Sequence, residues 1–467
     1  MRNPLCSLMV ILGLASSCFN VNAQSPAIQD DVVARLQSEA LSSDLAWDLL
    51  ASLTSEVGPR MAGSEADARA VSWAVDKMHS LGFDRVWTEP VSFPRWLRNH
   101  ESARVLSPYP QGLAVTALGG SPSTNGPLDG EVIQFDSVKE LETAASDAVR
   151  GKIVFLSQRM RKTAEGKGYG ETVVNRSRGP FIAAQKGALA LLIRSVGTDS
   201  DRLPHTGMMS GSEPGDRVPS AALSNPDADN LLLMLGHSEP VRVLLDLDVG
   251  FDGEATSYNV VGEFDGSEDR GPRVLLGAHL DSWDLGTGAI DDGAGVALVL
   301  AAAKMVADLP ERPRHGTHVV LYANEEQGVY GGKAYAKQHQ DDLGSYLVGA
   351  ESDLGADRIN RFKARVSPAA EPVIDSLASH LGKLGIEYEA GELAGGGADV
   401  GQMRKLGMPV IDLNQDASRY FDLHHTANDT LDKVNVENFR QNLAAWVTML
   451  YVTANSPVAF GPVEKSE

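Results

Sequence analysis

The 467-residue chain has only two cysteines, Cys6 and Cys18, and both lie within its first 23 residues. That stretch contains an early Arg2, an apolar core and a small residue, Ala23, at its end, which is typical of a cleaved secretory signal peptide. The mature chain would then contain no thiol, so disulfides and thiolate metal ligands are excluded. We therefore expect a secreted or periplasmic protein. A lipoprotein attached through Cys18 is the alternative, although Ala15 stands where such signals usually have a bulky aliphatic residue.

The sequence also lacks a long apolar run and an excess of basic residues. A membrane-spanning helix needs about 20 consecutive apolar residues, and the chain has no such run. Its 41 basic residues are outnumbered by 62 acidic ones, which gives a formal net charge of −21 at pH 7. This balance disfavours nucleic acids and anionic membrane surfaces as partners. It says little about a small substrate, because the field at a site can differ from the total.

The remaining sequence divides into three segments by pattern. Residues 24–118 open with helical periodicity and include a helix predicted over residues 67–81. Residues 119–250 contain short strand-like runs separated by loops rich in glycine, proline and serine. Residues 251–467 alternate apolar strands with helices, a pattern typical of an α/β fold with a mostly parallel mixed sheet flanked by helices.

Three apolar runs of the third segment each end in side chains that could bind a metal: RVLLGAH, HVVLYANEE and SYLVGAESD. Open α/β sheets bind ligands at the carboxyl ends of their strands, so these ends are expected to meet at one edge. The side chains brought there would be His279, Glu325, Glu326 and Asp353. Taken singly, each has an ordinary explanation, such as a solvated loop. Their coincidence at strand ends favours a site.

Asp291 and Asp292 stand side by side in the glycine-rich run GAIDDGAG. Adjacent carboxylates repel each other, and a divalent cation is the strongest candidate for a compensating charge. The alternative is that they cap the helix predicted to follow them. A binuclear hydrolytic site needs a bridging ligand, further nitrogen or oxygen ligands on each metal, and a separate carboxylate as base. With His425 in HHTANDT, the third segment contains such a set.

The third segment resembles the co-catalytic zinc peptidases, a family of aminopeptidases and glutamate carboxypeptidases, and within it the carboxypeptidase Q type. The motifs that carry the likeness are HLDSWDLGTGAIDDGAG, YANEEQGVYGG, AESDLG and HHTANDT. In the middle segment, AAQKGALALLIRSVG, PHTG and VPSAALSNPDADNLL are similar to the protease-associated domain that those peptidases contain. The resemblance implies a peptidase domain formed by residues 24–118 and 251–467, with a β-rich protease-associated domain inserted at residues 119–250.

The same resemblance implies two zinc ions and five protein ligands: His279, Asp291, Glu326, Asp353 and His425. His279 and Asp353 would bind one ion, Glu326 and His425 the other, and Asp291 would bridge them. Glu325 would be the general base that deprotonates the water between the ions. His425 is preferred to His424 because the ligand in family members directly precedes threonine or serine.

Two further residues would support these ligands. The resemblance implies a cis peptide bond between Asp291 and Asp292, which aims Asp291 at both metals and makes Asp292 a support rather than a ligand. Asp281, in the HLD triplet, would orient His279 through its other ring nitrogen. The alternative for Asp281 is an ordinary turn residue.

The resemblance also implies a small peptide substrate, either a dipeptide or the N-terminal residue of a longer peptide. Candidate substrate contacts are Glu351, Asp399 and His424, and Glu351 could receive the substrate ammonium. Ordinary loop positions are the alternative for these residues. A homodimer is expected from the family likeness alone.

Two other functions on the same fold remain as alternatives, a glutaminyl cyclase and a catalytically inactive binding protein. The complete ligand set argues against the second and the inserted middle segment against the first. A dinucleotide-binding site at the GTG of residues 286–288 is disfavoured because the third glycine of that fingerprint is missing.

Overall fold

A computed structural model describes Met1 and residues 28–210, 216–268 and 271–465. The signal peptide expected at residues 1–23 lies outside this range apart from Met1, and it stays a prediction. Within the described ranges, no helix combines the length and the apolar character needed to cross a membrane.

The strands, in chain order, are β1 (Arg85–Ser107), β2 (Gln111–Leu113), β3 (Val115–Ala117), β4 (Leu128–Phe135), β5 (Ile153–Leu156), β6 (Ala190–Arg194), β7 (Ser220–Leu223), β8 (Arg242–Phe264), β9 (Arg273–His279), β10 (Gly316–Tyr322), β11 (Tyr346–Glu351), β12 (Ile359–Arg365), β13 (Glu387–Tyr388) and β14 (Val410–Gln415).

The α-helices are α1 (Asp30–Ala40), α2 (Leu45–Ser52), α3 (Glu65–Leu81), α4 (Val138–Thr143), α5 (Ser146–Val149), α6 (Lys167–Thr172), α7 (Val174–Ser177), α8 (Gly179–Gln185), α9 (Asn225–Leu235), α10 (Ala294–Ala307), α11 (Tyr330–His339), α12 (Glu371–Gly382), α13 (Val400–Lys405), α14 (Tyr420–Leu423) and α15 (Val436–Ala454).

Twelve of the strands named above follow one another in a mixed sheet, in the order β13-β12-β14-β11-β9-β10-β8-β4-β5-β6-β7-β3. The other two join it from the side, since β1 pairs with β8 and β2 pairs with β1. At its centre β9 runs parallel to both β10 and β11, and β8 is antiparallel to β10. The helix α10 is rich in alanine, leucine and valine and is buried on almost all sides, as expected for a helix that is apolar all round. It packs against α2 and α15 as well as the sheet. The predicted α/β class with helices flanking the sheet is confirmed.

A long antiparallel ribbon of β1 and β8 joins the middle segment to the rest of the molecule. Residues 85–94 of β1 pair with residues 254–263 of β8, and this half of β8 lies beside β10. The other halves, residues 96–107 and 242–251, pair with each other, and β4 joins β8 there. Continuous strands, rather than loose linkers, therefore connect the two parts.

The strands β4, β5, β6 and β7 of the middle segment run parallel to one another. Together with β3 and the helices α4 to α9 they form a unit that we call the middle lobe, residues 115–241. This lobe contains more helix than the sequence indicated, because four of its helices are only four to six residues long. Segments of that length are too short for helical periodicity to be recognised.

Candidate metal centre

The carboxyl edge of the parallel strands brings the six predicted ligand and base residues together. They are His279 at the end of β9, Glu325 and Glu326 after β10, Asp353 after β11, Asp291 just before α10, and His425 after α14. Four of them are buried, and only Glu325 and Asp353 retain intermediate exposure. The expectation that distant strand ends converge is therefore met in the folded chain.

The Asp291 carboxylate lies between the two histidines. Its Oδ1 is 3.0 Å from His279 Nε2, and the same nitrogen is 3.5 Å from Asp353 Oδ1. Its Oδ2 is 3.4 Å from His425 Nε2, which is 2.9 Å from Glu326 Oε2. The geometry thus forms two groups that share Asp291, one with His279 and Asp353 and one with His425 and Glu326. This is the division that the motif resemblance implies.

The other ring nitrogen of each histidine faces a main-chain carbonyl. His279 Nδ1 is 3.1 Å from the Asp281 carbonyl oxygen, and His425 Nδ1 is 3.2 Å from that of Thr206. A carbonyl oxygen only accepts, so Nδ1 carries the proton in both rings. Both Nε2 atoms are thereby left facing carboxylate oxygens, and such a contact requires a proton or a metal ion between the atoms.

Zinc fits these positions. Zinc bonds to nitrogen and oxygen are about 2.0–2.2 Å long, so ligand atoms 2.9–3.5 Å apart can bind the same ion. Ligand atoms of His279, Asp291 and Glu326 lie within 4.8 Å of one another. In addition, Glu326 Oε1 is buried and has no hydrogen-bond partner among the described residues. The donor set consists of imidazole and carboxylate groups, which zinc accepts.

The electrostatics of the site also favour a bound cation. Burial would raise the pKa of Asp291, but its contacts with His279 and His425 lower it well below the ordinary value. Burial raises the pKa of four other carboxyl groups at this edge: Asp292, Glu325, Glu326 and Asp353. Burying a charge without a partner is costly, so these groups gain from a divalent ion.

The Asp292 carboxylate binds main-chain amides next to the site. Its Oδ2 accepts a hydrogen bond from the His279 amide at 3.2 Å, and its Oδ1 accepts one from the Gly295 amide at 3.0 Å. The peptide bond between Asp291 and Asp292 is cis, as the resemblance implies. Asp292 therefore both binds the first turn of α10 and fixes His279, so the capping and supporting interpretations describe the same residue.

Asp281 acts on its neighbours in two ways. Its main-chain carbonyl, rather than its carboxylate, is the nearer partner of His279, since the carboxylate lies 3.6 Å from Nδ1 and the carbonyl oxygen 3.1 Å. The carboxylate instead accepts hydrogen bonds from the amides of Glu325 at 2.9 Å and Glu326 at 3.4 Å. Asp281 thus positions the glutamate pair through its side chain and His279 through its main chain.

Asp429 was not among the predicted site residues, although it lies in the HHTANDT motif. Its buried carboxylate accepts hydrogen bonds from the amides of Ile290 at 2.6 Å and Asp291 at 3.2 Å. Burial and the charge of Asp291 raise the pKa of Asp429 to about 7. The only sequence signal was its position four residues after His425.

Arg60 is the second residue that sequence analysis missed. Its fully buried guanidinium donates to three carbonyl oxygens of the metal-site loops: Leu280 at 2.5 Å, Thr287 at 2.8 Å and Gly288 at 2.9 Å. Burial lowers the pKa of Arg60, and the charges of Asp429 and Asp281 act in the opposite direction. Arg60 is therefore a buried cation next to the acidic side chains of the site.

Two of the three predicted substrate contacts, Glu351 and Asp399, lie together and are buried. The Glu351 carboxylate accepts hydrogen bonds from three successive main-chain amides: Ala398 at 3.0 Å, Asp399 at 2.9 Å and Val400 at 2.6 Å. Asp399 Oδ1 accepts from the Gly332 amide at 2.8 Å, and its Oδ2 is buried with no hydrogen-bond partner in the part of the chain that the structure describes. Glu351 therefore fixes the glycine-rich loop, and a role in ammonium binding stays a prediction.

The third predicted contact, His424, stacks on His425 with ring centroids 3.6 Å apart and an interplanar angle of 19°. A ring nitrogen of His424 also lies within 4.8 Å of ligand atoms of Asp291 and His425. Only His425, however, directs Nε2 at both Glu326 and Asp291. The geometry favours His425 as the ligand and gives His424 a packing role beside it.

Known proteins share both the sequence and the fold. The model of peptidase family M28 matches residues 259–450. Carboxypeptidase Q from Homo sapiens is 32% identical over 459 residues, covering 97% of this chain and 95% of that protein. The crystal structure of a peptidase M28 precursor from Shewanella amazonensis SB2B has 48% identity and a TM-score of 0.89, with 93% of this chain and 99% of that chain covered.

The chain belongs to peptidase family M28. A zinc aminopeptidase from Bacillus subtilis shares the fold, with a TM-score of 0.63 at 19% identity, covering 88% of this chain and 93% of that one. The family recognised from the motifs is confirmed, and with it the prediction that the chain is a peptidase.

Proposed function

We propose that this M28 peptidase hydrolyses dipeptides, or removes N-terminal residues from small peptides, with two zinc ions. One observation carries the proposal: two histidine Nε2 atoms face opposite oxygens of the Asp291 carboxylate, each with a second carboxylate beside it. His279 and Asp353 would hold one ion, and His425 and Glu326 the other. Asp291 would bridge them.

Zinc bound at this place would lower the pKa of a coordinated water towards 7, polarise the scissile carbonyl and stabilise the negative charge that develops on it. Glu325 would take the proton from the attacking water and deliver it to the leaving amine. Burial, together with the charges of Asp353 and Glu326, raises the pKa of Glu325 well above its ordinary value. A carboxyl in such surroundings is suited to holding a proton during the reaction.

The free amino group of the substrate would be bound on the acidic side of the site. Asp399 supports this assignment, because its Oδ2 has no protein partner and because burial and the charge of Glu325 raise its pKa. Glu351 would assist by fixing the loop that carries Asp399. The likeness of the motifs to the carboxypeptidase Q type is a further reason to propose small peptides as substrates.

The wider setting is proposed on the same basis. The protease-associated domain proposed at residues 119–250, inserted between the two parts of the peptidase domain, would correspond to the middle lobe. Residues 1–23 would direct secretion, or export to the periplasm, and would be cleaved after Ala23. A homodimer is proposed from the likeness to family members, and size-exclusion chromatography with light scattering tests it.

The decisive experiment uses a matched pair of dipeptides, one with a free amino group and one N-acetylated. Both are assayed after chelation and again after zinc is restored. Zinc-dependent cleavage of the free-amine substrate alone is expected. Cleavage of only the acetylated dipeptide would instead indicate a true carboxypeptidase. If neither is cleaved with zinc bound, glutaminyl cyclisation and a non-catalytic binding role are the functions to test next.

A further inference from the structure

A short stretch of the middle lobe, residues 205–207, lies directly against the proposed zinc ligand His425. The Thr206 amide donates to the His425 carbonyl oxygen at 3.0 Å, and His425 Nδ1 is 3.2 Å from the Thr206 carbonyl oxygen. His205 adds a third contact, since its Nδ1 is 2.8 Å from the His424 carbonyl oxygen. The main chain around His425 is thus held by the lobe on one side.

The Thr206 carbonyl is itself held in place by the lobe and the ribbon. Arg176 donates to that oxygen from Nη1 at 3.2 Å, and Arg98 donates to the Thr206 hydroxyl from Nη2 at 3.0 Å. The same hydroxyl donates to the Ala117 carbonyl at 2.8 Å. Thr206 is 1% exposed and Arg176 is 6% exposed. Three separate elements, β1, β3 and α7, therefore determine where this carbonyl lies.

Gly207 is required for so close an approach. Its φ is +130°, and an added Cβ would lie 2.2 Å from Arg176 Nη1 and 2.8 Å from His425 Nδ1. Real Cβ atoms do not approach other atoms so closely. Any side chain at this position would displace either the arginine or the proposed ligand.

The two proposed zinc-binding histidines differ in where their outer partners come from. His279 is oriented by the carbonyl of Asp281, two residues along the chain, whereas His425 is oriented by a carbonyl 219 residues away in the middle lobe. Outer partners of this kind fix the tautomer and the orientation of a metal-binding histidine. Among the described residues, the lobe thus supplies the outer partner of His425 but not that of His279.

We propose that the middle lobe is a working part of the metal centre: the Thr206 carbonyl positions His425, and Gly207 permits the contact. The inference rests on the proposed function to the extent that His425 binds zinc. Thr206 and Gly207 act as positioning residues, because they reach the reaction only through His425.

The test is zinc binding to the full chain, with Gly207→Ala compared with Gly126→Ala. Gly126 is an exposed glycine of the same lobe with a φ of +101° and no atom within 4 Å of an added Cβ, so this control has a similar backbone cost without the clash. Chelator competition should show that Gly207→Ala binds one zinc ion about 10–100-fold more weakly and the other as tightly as the parent. The control should keep both affinities.

Equal binding of both ions by Gly207→Ala and the parent would overturn the inference, and so would an equal loss at both positions. If the parent itself binds no zinc, the proposed function fails instead, which separates the two claims. A milder pair covers the case in which Gly207→Ala does not fold. Thr206→Ala removes the hydroxyl that anchors the carbonyl and should weaken the same single ion, and Thr206→Ser, which keeps the hydroxyl, should restore it.

Discussion

Buried carboxylates have different partners at the two edges of the same parallel strands. At the amino ends of β9 and β10, Glu263 is 6% exposed. It lies 2.6 Å from Arg85 Nη2, 3.0 Å from Arg273 Nε and 2.8 Å from His318 Nδ1. At the carboxyl ends, the Asp291 and Glu326 carboxylates both face His425 Nε2, at 3.4 and 2.9 Å. At the first edge cationic side chains contact the carboxylate directly, whereas at the second the buried Arg60 donates to main-chain carbonyls.

This difference sets the charge state of each edge. Burial would raise the pKa of Glu263, but hydrogen bonds from His318 and Arg85 and the charge of Arg273 lower it to about 2. At the other edge burial raises the pKa of Glu325, and neighbouring carboxylates add to the effect. The first cluster contains its own ion pairs. The second combines several buried carboxyl groups with raised pKa values, which supports the proposal that a cation binds there.

The largest expected effect comes from removing the proposed base while leaving the ligands. Glu325→Gln should lower kcat by about 10²–10⁴-fold, because the amide cannot accept the proton of the attacking water. Zinc content should stay at the level of the parent, since Glu325 is not among the proposed ligands. Steady-state kinetics with a free dipeptide and metal analysis of the dialysed protein measure the two quantities. Loss of zinc together with activity would make Glu325 a ligand.

Glu263→Gln tests the other edge, at the amino ends of β9 and β10, where the buried carboxylate has cationic partners; we call it the self-compensated edge. The change removes the buried carboxylate that Arg273 contacts at 3.0 Å, whereas Arg85 keeps Asp265 at 2.6 Å, so the free energy of unfolding should fall by about 1–3 kcal/mol. Zinc content should not change, because the site lies at the opposite ends of the strands. Denaturant unfolding of the zinc-free protein measures the loss.

Glu268→Gln is the matched control for that experiment. Glu268 is 42% exposed and pairs with Arg314 at 2.7 Å, and a pair of this exposure is expected to contribute less than about 1 kcal/mol. Similar losses for the two variants would mean that burial of the Glu263 cluster has no special weight.

The strands and helices that carry the ligands were predictable because their signals are local. The runs that end at His279, Glu326 and Asp353 are short and apolar, and β9 spans residues 273–279 as the pattern indicates. The helix predicted to follow Asp291 and Asp292 is α10, Ala294–Ala307. A buried strand followed by polar groups specifies its own end.

The long ribbon was not predictable to the same degree. The strand β1 contains Pro90 and Pro94, and a proline in a sequence normally argues against a strand. Here the strand is at an edge, since residues 85–94 pair only with β8, and a missing amide donor is tolerated there. Residues 250–257 of β8 lack a regular apolar pattern because this part of the strand is largely exposed.

Arg60 and Thr206 escaped sequence analysis for a different reason. Arg60 contacts the carbonyl of a residue 220 positions away, and Thr206 contacts His425 across 219 positions. Thr206 lies in PHTG, which the sequence analysis linked only to the middle segment, and Arg60 lies in none of the quoted motifs. Their contacts with the site depend on the tertiary structure, so spacing along the chain does not predict them.

Asp429→Asn tests how far Asp429 holds Asp291 in place at the carboxyl ends of the strands. Asp429 holds the amides of Ile290 and Asp291 with both carboxylate oxygens, and an asparagine can accept at only one of them. The misplaced Asp291 should weaken zinc binding by about 10–100-fold, measured by chelator competition. Asp432→Asn is the control, because Asp432 is 68% exposed and contacts Lys433 rather than the site. Unchanged affinity in Asp429→Asn would show that Asp291 holds its position without this support.

The smallest expected effect is the part of the pH dependence of the unfolding free energy that comes from Glu263. The pKa of Glu263 is lowered to about 2 from an ordinary value of 4.5, so its contribution to stability is present above pH 4.5 and is lost as the pH falls towards 2. Between pH 4.5 and 3.5 the zinc-free parent should therefore lose about 1 kcal/mol more of its unfolding free energy than Glu263→Gln does. Denaturant unfolding of both proteins at the two pH values measures the difference. Parallel losses would mean that the acid sensitivity comes from other carboxylates and that Arg85 and Arg273 do not hold Glu263 ionised.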